Sequence, residues 1–205
     1  MKIKKITSVI TILVLLFSFS GCAENSAKGA VTSLFKALKN YDSAAINQVV
    51  TVFPDTNDCG VTYDLFSDEA YVELFQTAYG DLIYTIDSIE ESENSAIVKL
   101  TMTHPDFKTA YSTALYSTAA LVFSDQNLYE QMMSDPEADI RYLVPQQMKN
   151  MYVSKKIESI ETTFTLNLTN VDGHWKITTD DQLKNLMSCN LYTITSTISG
   201  GGLPE

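Results

Sequence analysis

Apolar and polar positions alternate with two different periods along this chain, and the changes of period mark the elements. Val31, Leu34, Phe35, Leu38 and Tyr41 recur at i, i+3, i+4, i+7 and i+10, the spacing of one helical face. Asp42-Ser43 then stops that helix and caps a second over Ala44–Val52, which Phe53-Pro54-Asp55 ends. Ser67, with Asp68 and Glu69 in the first turn, opens a third helix running to Tyr79, with Val72, Phe75 and Tyr79 or the adjacent Leu74 turned inward. From Leu82 to Ile89 and again from Ala96 to Thr103 the period falls to two, and the polar turn Glu90–Ser95 between them predicts a hairpin. The helical period returns from Asp106 to Met133, where Phe107, Tyr111, Ala114, Leu115, Thr118 and Val122 share a face. Glu137–Tyr152 reads as further helix, with Pro145 at or near a start. Ile157–Asn170 and His174–Thr178, joined by Val171-Asp172-Gly173, make a second hairpin, and a short helix over Asp180–Cys189 follows.

Helices, hairpin, helical segment, hairpin: this order predicts an α+β domain. Helices pack on one face of a curved antiparallel sheet made of the two hairpins, with a helical insertion between them. A stretch with neither period, residues 196–205 (STISGGGLPE), reads as a flexible tail. The core-forming pattern extends over 30–195, and no repeat or linker divides it.

The beginning of the chain has a different character. Lys2, Lys4 and Lys5 precede Ile6–Phe19, an uncharged run of about 14 residues, too short to span a bilayer as a helix and of the form of a secretory signal peptide. Small residues Ser20 and Gly21 then lead to Cys22, after which the chain is small and polar. Here the sequence resembles the bacterial lipoproteins. The resemblance implies removal of residues 1–21, diacylation of Cys22 and a tether over 22–29. Two acyl chains supply the anchoring that one cannot. The chain is then expected at the cell membrane, lipid-anchored on its extracytoplasmic face.

Composition narrows the partners. The formal net charge is −11, and the three leading lysines belong to the removed segment, so the remainder is more acidic still. Nucleic acid and anionic membrane surfaces both reward clustered Lys and Arg and are poor partners here. Cys59 and Cys189 are the cysteines left after Cys22. Outside the cell they can pair, though spacing cannot show that they meet; Cys189, beside Leu186 and Met187, also suits a free, buried thiol, and that reading is preferred.

The first amphipathic helix with its ending LFKALKNYD, the lipoprotein start and the final hairpin with VDGHWKI together resemble the nuclear-transport-factor-two-like, cone-shaped α+β families. That resemblance implies a curved sheet and helices enclosing a pocket. Its members range from enzymes to binding domains, so it restricts shape more than activity.

Chemistry is thinly represented. The chain has two histidines. His104 stands in Thr-His-Pro-Asp at a strand end, where Asp106 can orient it as an acid/base pair; His174 starts a strand after a glycine turn. Each also reads as a loop-end histidine in water. No GxSxG and no GxxxxGK[ST] occurs. Asp55–Gly60 begins like a calcium loop, but Cys59 fills its fifth position and Phe66 its twelfth, where a bidentate Glu belongs. No metal or other cofactor is therefore expected. Tyrosines are more suggestive, with Tyr111, Tyr116, Tyr129, Tyr142 and Tyr152 in the middle segment, since a ring that packs while its hydroxyl stays hydrogen-bonded suits a pocket, an interface or a core. Two readings follow. One is a non-enzymatic domain binding a small ligand or a cell-envelope protein; the other is a pocket enzyme using His104 and Asp106.

Overall fold

The two hairpins are present, and they join into one sheet. In the computed structural model, which describes residues 25–52, 69–134 and 136–194, β1 (Ile83–Glu91) pairs with β2 (Ser95–Pro105), and β3 (Ser159–Val171) pairs with β4 (His174–Ile177). β2 also pairs antiparallel with β3 along its whole length, from Ser95 opposite Thr169 to Pro105 opposite Ser159. The sheet is thus an open antiparallel meander in the order β1-β2-β3-β4. The β3–β4 turn places both Asp172 (φ 52°) and Gly173 (φ 82°) in the left-handed region, the geometry of a two-residue turn that matches strand twist. Beyond β4, Val50 forms a parallel bridge to Ile177, and Thr51 N–H donates to the Ile177 carbonyl over 2.8 Å, so this edge is partly covered.

One face of the sheet is core and the other is open. Val98, Leu100, Met102 and His104 of β2, Phe164, Leu166 and Leu168 of β3, and Trp175 and Ile177 of β4 are buried on the same side. Opposite them, Thr85, Thr101 and Thr163 stand in register across three strands, on the solvated side that a one-faced antiparallel sheet leaves. A bulge at Asp87 separates Ile86 from Ser88, and its carboxylate accepts from the Thr101 hydroxyl over 2.8 Å.

Helices cover the core face. α1 (Ala27–Lys39) buries Val31, Leu34, Phe35 and Leu38, and Phe35 stacks on Tyr84 of β1 with ring centroids 3.8 Å apart. Ser26 caps it, its hydroxyl accepting from Gly29 N–H over 3.0 Å, so residues 27–29 belong to the helix and the tether expected over 22–29 is shorter. α2 (Ser43–Val49) is capped by Asp42 and buries Ile46. α3 (Glu69–Gly80) buries Phe75 and Tyr79 together with Leu74 and Ala78, while Val72, expected inward, is half-buried. The start expected at Ser67 lies outside the described residues, as do Cys22, Cys59, the Asp55–Gly60 loop and the tail.

Between β2 and β3 run α4 (Phe107–Ser124), α5 (Gln126–Ser134) and α6 (Pro136–Val153). The single helix expected to reach Met133 is divided at Asp125. This residue is extended and its carboxylate accepts from Asn127 N–H over 2.9 Å, which caps the following helix. Pro145 is also placed differently: it lies inside α6, whose start is at Pro136, where a missing N–H removes no helical bond. α7 (Asp181–Met187), capped by Asp180, closes the core. Among the described residues no helix is long and apolar enough to cross a membrane.

Candidate functional site

β2 continues through Pro105, and its alternation sends every even-numbered side chain from Ala96 to His104 into the core. His104 is therefore 1% exposed, not a loop-end ring in water. Burial of a ring that must stay hydrogen-bonded requires partners on both nitrogens, and the fold supplies them. Nδ1 lies 2.8 Å from the Pro105 carbonyl and Nε2 lies 2.9 Å from the Thr162 hydroxyl. A carbonyl can only accept, so the ring is assigned the Nδ1–H tautomer and Nε2 accepts from Thr162. Asn190 completes the set: its Nδ2 donates to Thr162 Oγ1 over 3.2 Å and stands 3.4 Å from Nε2. The order is Asn190 to Thr162 to His104 to the Pro105 carbonyl, each donor matched to an acceptor.

Three separate elements hold this group. Thr162 faces the core from β3, diagonal to His104 in a register that pairs Met102 with Thr162 and His104 with Ile160. Asn190 comes from the turn after α7. There Cys189 (φ 51°) and Asn190 (φ 66°) are both left-handed, a conformation that is strained for cysteine and tolerated by asparagine. Asn190 N–H bonds the Asn185 carbonyl over 2.8 Å, and the Asn185 side chain accepts from Thr193 N–H over 3.1 Å, so the turn is bound on both sides. The Tyr79 hydroxyl donates to the Met187 carbonyl over 2.6 Å and ties α3 to the same turn.

The electrostatics keep these groups neutral. Burial lowers the pKa of His104, against smaller raising effects from the Pro105 carbonyl and the Asp106 charge. Burial raises the Cys189 thiol far above its ordinary value; the thiol is free, and a thiolate nucleophile is disfavoured there. Tyr152 is likewise raised, by burial first and then by the Asp81 carboxylate that accepts its hydroxyl over 2.7 Å.

His104 and Asp106 are close in the chain but divided in role. The Asp106 carboxylate accepts from Thr109 N–H over 3.0 Å and caps α4, and neither His104 nitrogen is hydrogen-bonded to it among the described residues. His174 is exposed at the start of β4. Of the middle tyrosines, Tyr111 is buried, Tyr152 half-buried, and Tyr116 and Tyr129 exposed; the Tyr142 side chain lies outside the described residues. Thr162 and Asn190 were not singled out from the sequence. Asn190 had a weak signal, as an asparagine just past a helix end; Thr162 had none without the strand register. Among the described residues no group of three His, Cys, Asp or Glu side chains is arranged to hold a metal ion.

No family model, curated protein or solved structure matches the chain.

Proposed function

We propose that the chain is an extracytoplasmic lipoprotein, held at the cell membrane by acylation of Cys22, whose domain acts by binding and not by catalysis. The observation that carries this reading is the state of His104, the side chain best suited to acid/base work, with both nitrogens engaged inside the core. A general base needs a free nitrogen within reach of a substrate proton. The contact surface in this proposal is the outer side of α4 and α5, where Tyr116 and Phe123 are 78% and 74% exposed. Large exposed apolar rings in one patch mark interaction sites more often than scattered single ones do.

Support for the anchor comes from Lys2, Lys4, Lys5, the apolar run 6–19 and Ser20-Gly21-Cys22. The capped start of α1 adds to it. Only residues 23–26 stand between Cys22 and the helix, a reach of at most about 18 Å, which would keep the domain against the bilayer. Kinship with the nuclear-transport-factor-two-like families is part of the proposal, supported by the first helix stacked on the sheet through Phe35 and Tyr84 and by the terminal hairpin.

Metabolic labelling with a clickable fatty acid tests the anchor. Label is expected on the full chain and not on Cys22→Ala; label on the variant overturns the assignment. For the binding reading, Phe123→Asp is expected to impair the protein's role in cells while leaving the fold intact. A folded Phe123→Asp protein with unchanged cellular performance counts against it.

A further inference from the structure

Helix α4 carries one charged residue, Lys108, in its 18 residues. Its inner side, including Phe107, Tyr111, Ala114 and Val122, is buried against the rest of the domain. The outer side carries Lys108 in its first turn and no charge beyond it, with Tyr116, Ala119, Ala120 and Phe123 exposed at helical spacing. Exposed Thr113, Ser117 and Ser124 keep part of this side polar, but Tyr116 and Phe123 add large rings that nothing among the described residues covers. The patch continues onto α5, where the Tyr129 ring lies 6.2 Å from that of Phe123 and Met133 follows one turn later, 64% exposed.

The order of residues along this face indicates what fits it. Tyr116 and Phe123 stand about 10 Å apart along the axis, with the two small alanines midway between them. A two-fold axis through the Ala119–Ala120 midpoint lays a second copy of α4 antiparallel on the first. Tyr116 of each copy then meets Phe123 of the other, and the low alanine ground lets the two helices approach. Such an isologous contact is the commonest form of protein self-association. Charge argues the same way, because the chain carries a net charge of −11 and α4 holds no acidic residue, so two copies can meet along it without opposing carboxylates. The area suffices. Each of the two most exposed rings presents about 150 Å², and with Tyr129 and Met133 the patch reaches about 500 Å² per copy; two copies would bury about 1,000 Å², the lower bound for a specific interface.

We propose that the outer face of α4, continued by Tyr129, is a self-association surface on which a second copy of this chain packs antiparallel about Ala119 and Ala120. The inference rests on the reading of α4 and α5 as the contact surface and names its occupant. An interface of this size is weak in dilute solution, and confinement of many copies to one membrane would raise their effective concentration.

Cross-linking of the full chain in its membranes tests it, with a short bis-maleimide and Ala119→Cys near the proposed axis. Glu93→Cys, in the exposed turn between β1 and β2 at the sheet end remote from α4, is the control, and the parent chain gives the background of its own cysteines. Expected is a covalent product of twice the chain mass, several-fold above both controls, abolished when Phe123→Asp is added. Native Trp175 emission in each variant verifies that the fold is intact. A yield no greater than that of Glu93→Cys overturns the proposal. A product with a different protein overturns self-association and leaves the contact-surface reading standing. Failure of a monofunctional maleimide to modify Ala119→Cys in the folded protein diluted in detergent, where copies are apart, overturns both.

Discussion

Replacing Thr162 by valine keeps the shape of the side chain and removes its hydroxyl, the link between His104 and Asn190. In the folded protein His104 Nε2 then loses the donor at 2.9 Å and retains only Asn190 Nδ2 at 3.4 Å, while Asn190 Nδ2 loses its acceptor at 3.2 Å. A buried polar group left without a partner costs about 1–3 kcal/mol, and the remaining Asn190 contact relieves part of that, so about 2 kcal/mol is expected. For a chain of this length that corresponds to a fall in Tm of about 4–8 °C. Thr162→Ser separates the hydroxyl from the methyl: it keeps the bond and loses one methyl group, about 1 kcal/mol. Urea unfolding followed by fluorescence supplies the measurement, since Trp175 is the sole tryptophan and is buried on the core face. The valine variant should be the less stable of the two. A valine variant as stable as the parent to within about 0.5 kcal/mol, or more stable than the serine variant, would refute the hydrogen-bonded role given to Thr162.

Two further outcomes follow from the same group. The folded pKa of His104 is lowered below 6.5, so as pH falls through that value the unfolded chain binds a proton that the folded chain refuses, and stability declines until the lower folded pKa is reached. The difference in unfolding free energy between the parent and His104→Gln should therefore be constant above about pH 7.5 and shift against the parent below about pH 6; a pH-independent difference would count against a buried, neutral ring. Cys189 should resist a thiol reagent in the native protein and react at once in denaturant without reductant; reaction only after reduction would show that it is paired.

The parts of the fold read correctly from the sequence are those governed by local periodicity. Val31, Leu34, Phe35 and Leu38 announce one helical face, and Val98, Leu100 and Met102 announce one strand face, because neighbouring turns or alternate residues see the same surroundings. The division at Asp125 was hidden, since the residues on either side suit helix and only the capping geometry of its carboxylate separates them. Ser26 was hidden similarly, within a small, polar stretch whose composition resembles a tether. His104 shows both outcomes. Pro105-Asp106 suggested that the strand had ended, yet the parity of Val98, Leu100 and Met102 already assigned position 104 to the core side. Its partners were beyond local reach: Thr162 is 58 residues away, across a three-helix connection that leaves the register of β3 unspecified, and Asn190 is 86 away, aimed by a left-handed turn.

The central claim is that His104 is a structural group of the core, and nuclear magnetic resonance of the imidazole nitrogens tests it most directly. With 15N-labelled histidine, and His174→Gln to assign the remaining ring, the account predicts a protonated Nδ1 and an unprotonated Nε2 at about pH 8, and a titration midpoint below 6.5 because burial lowers the pKa. An Nε2–H tautomer, or a ring that titrates at or above 6.5 in the folded protein, would contradict it.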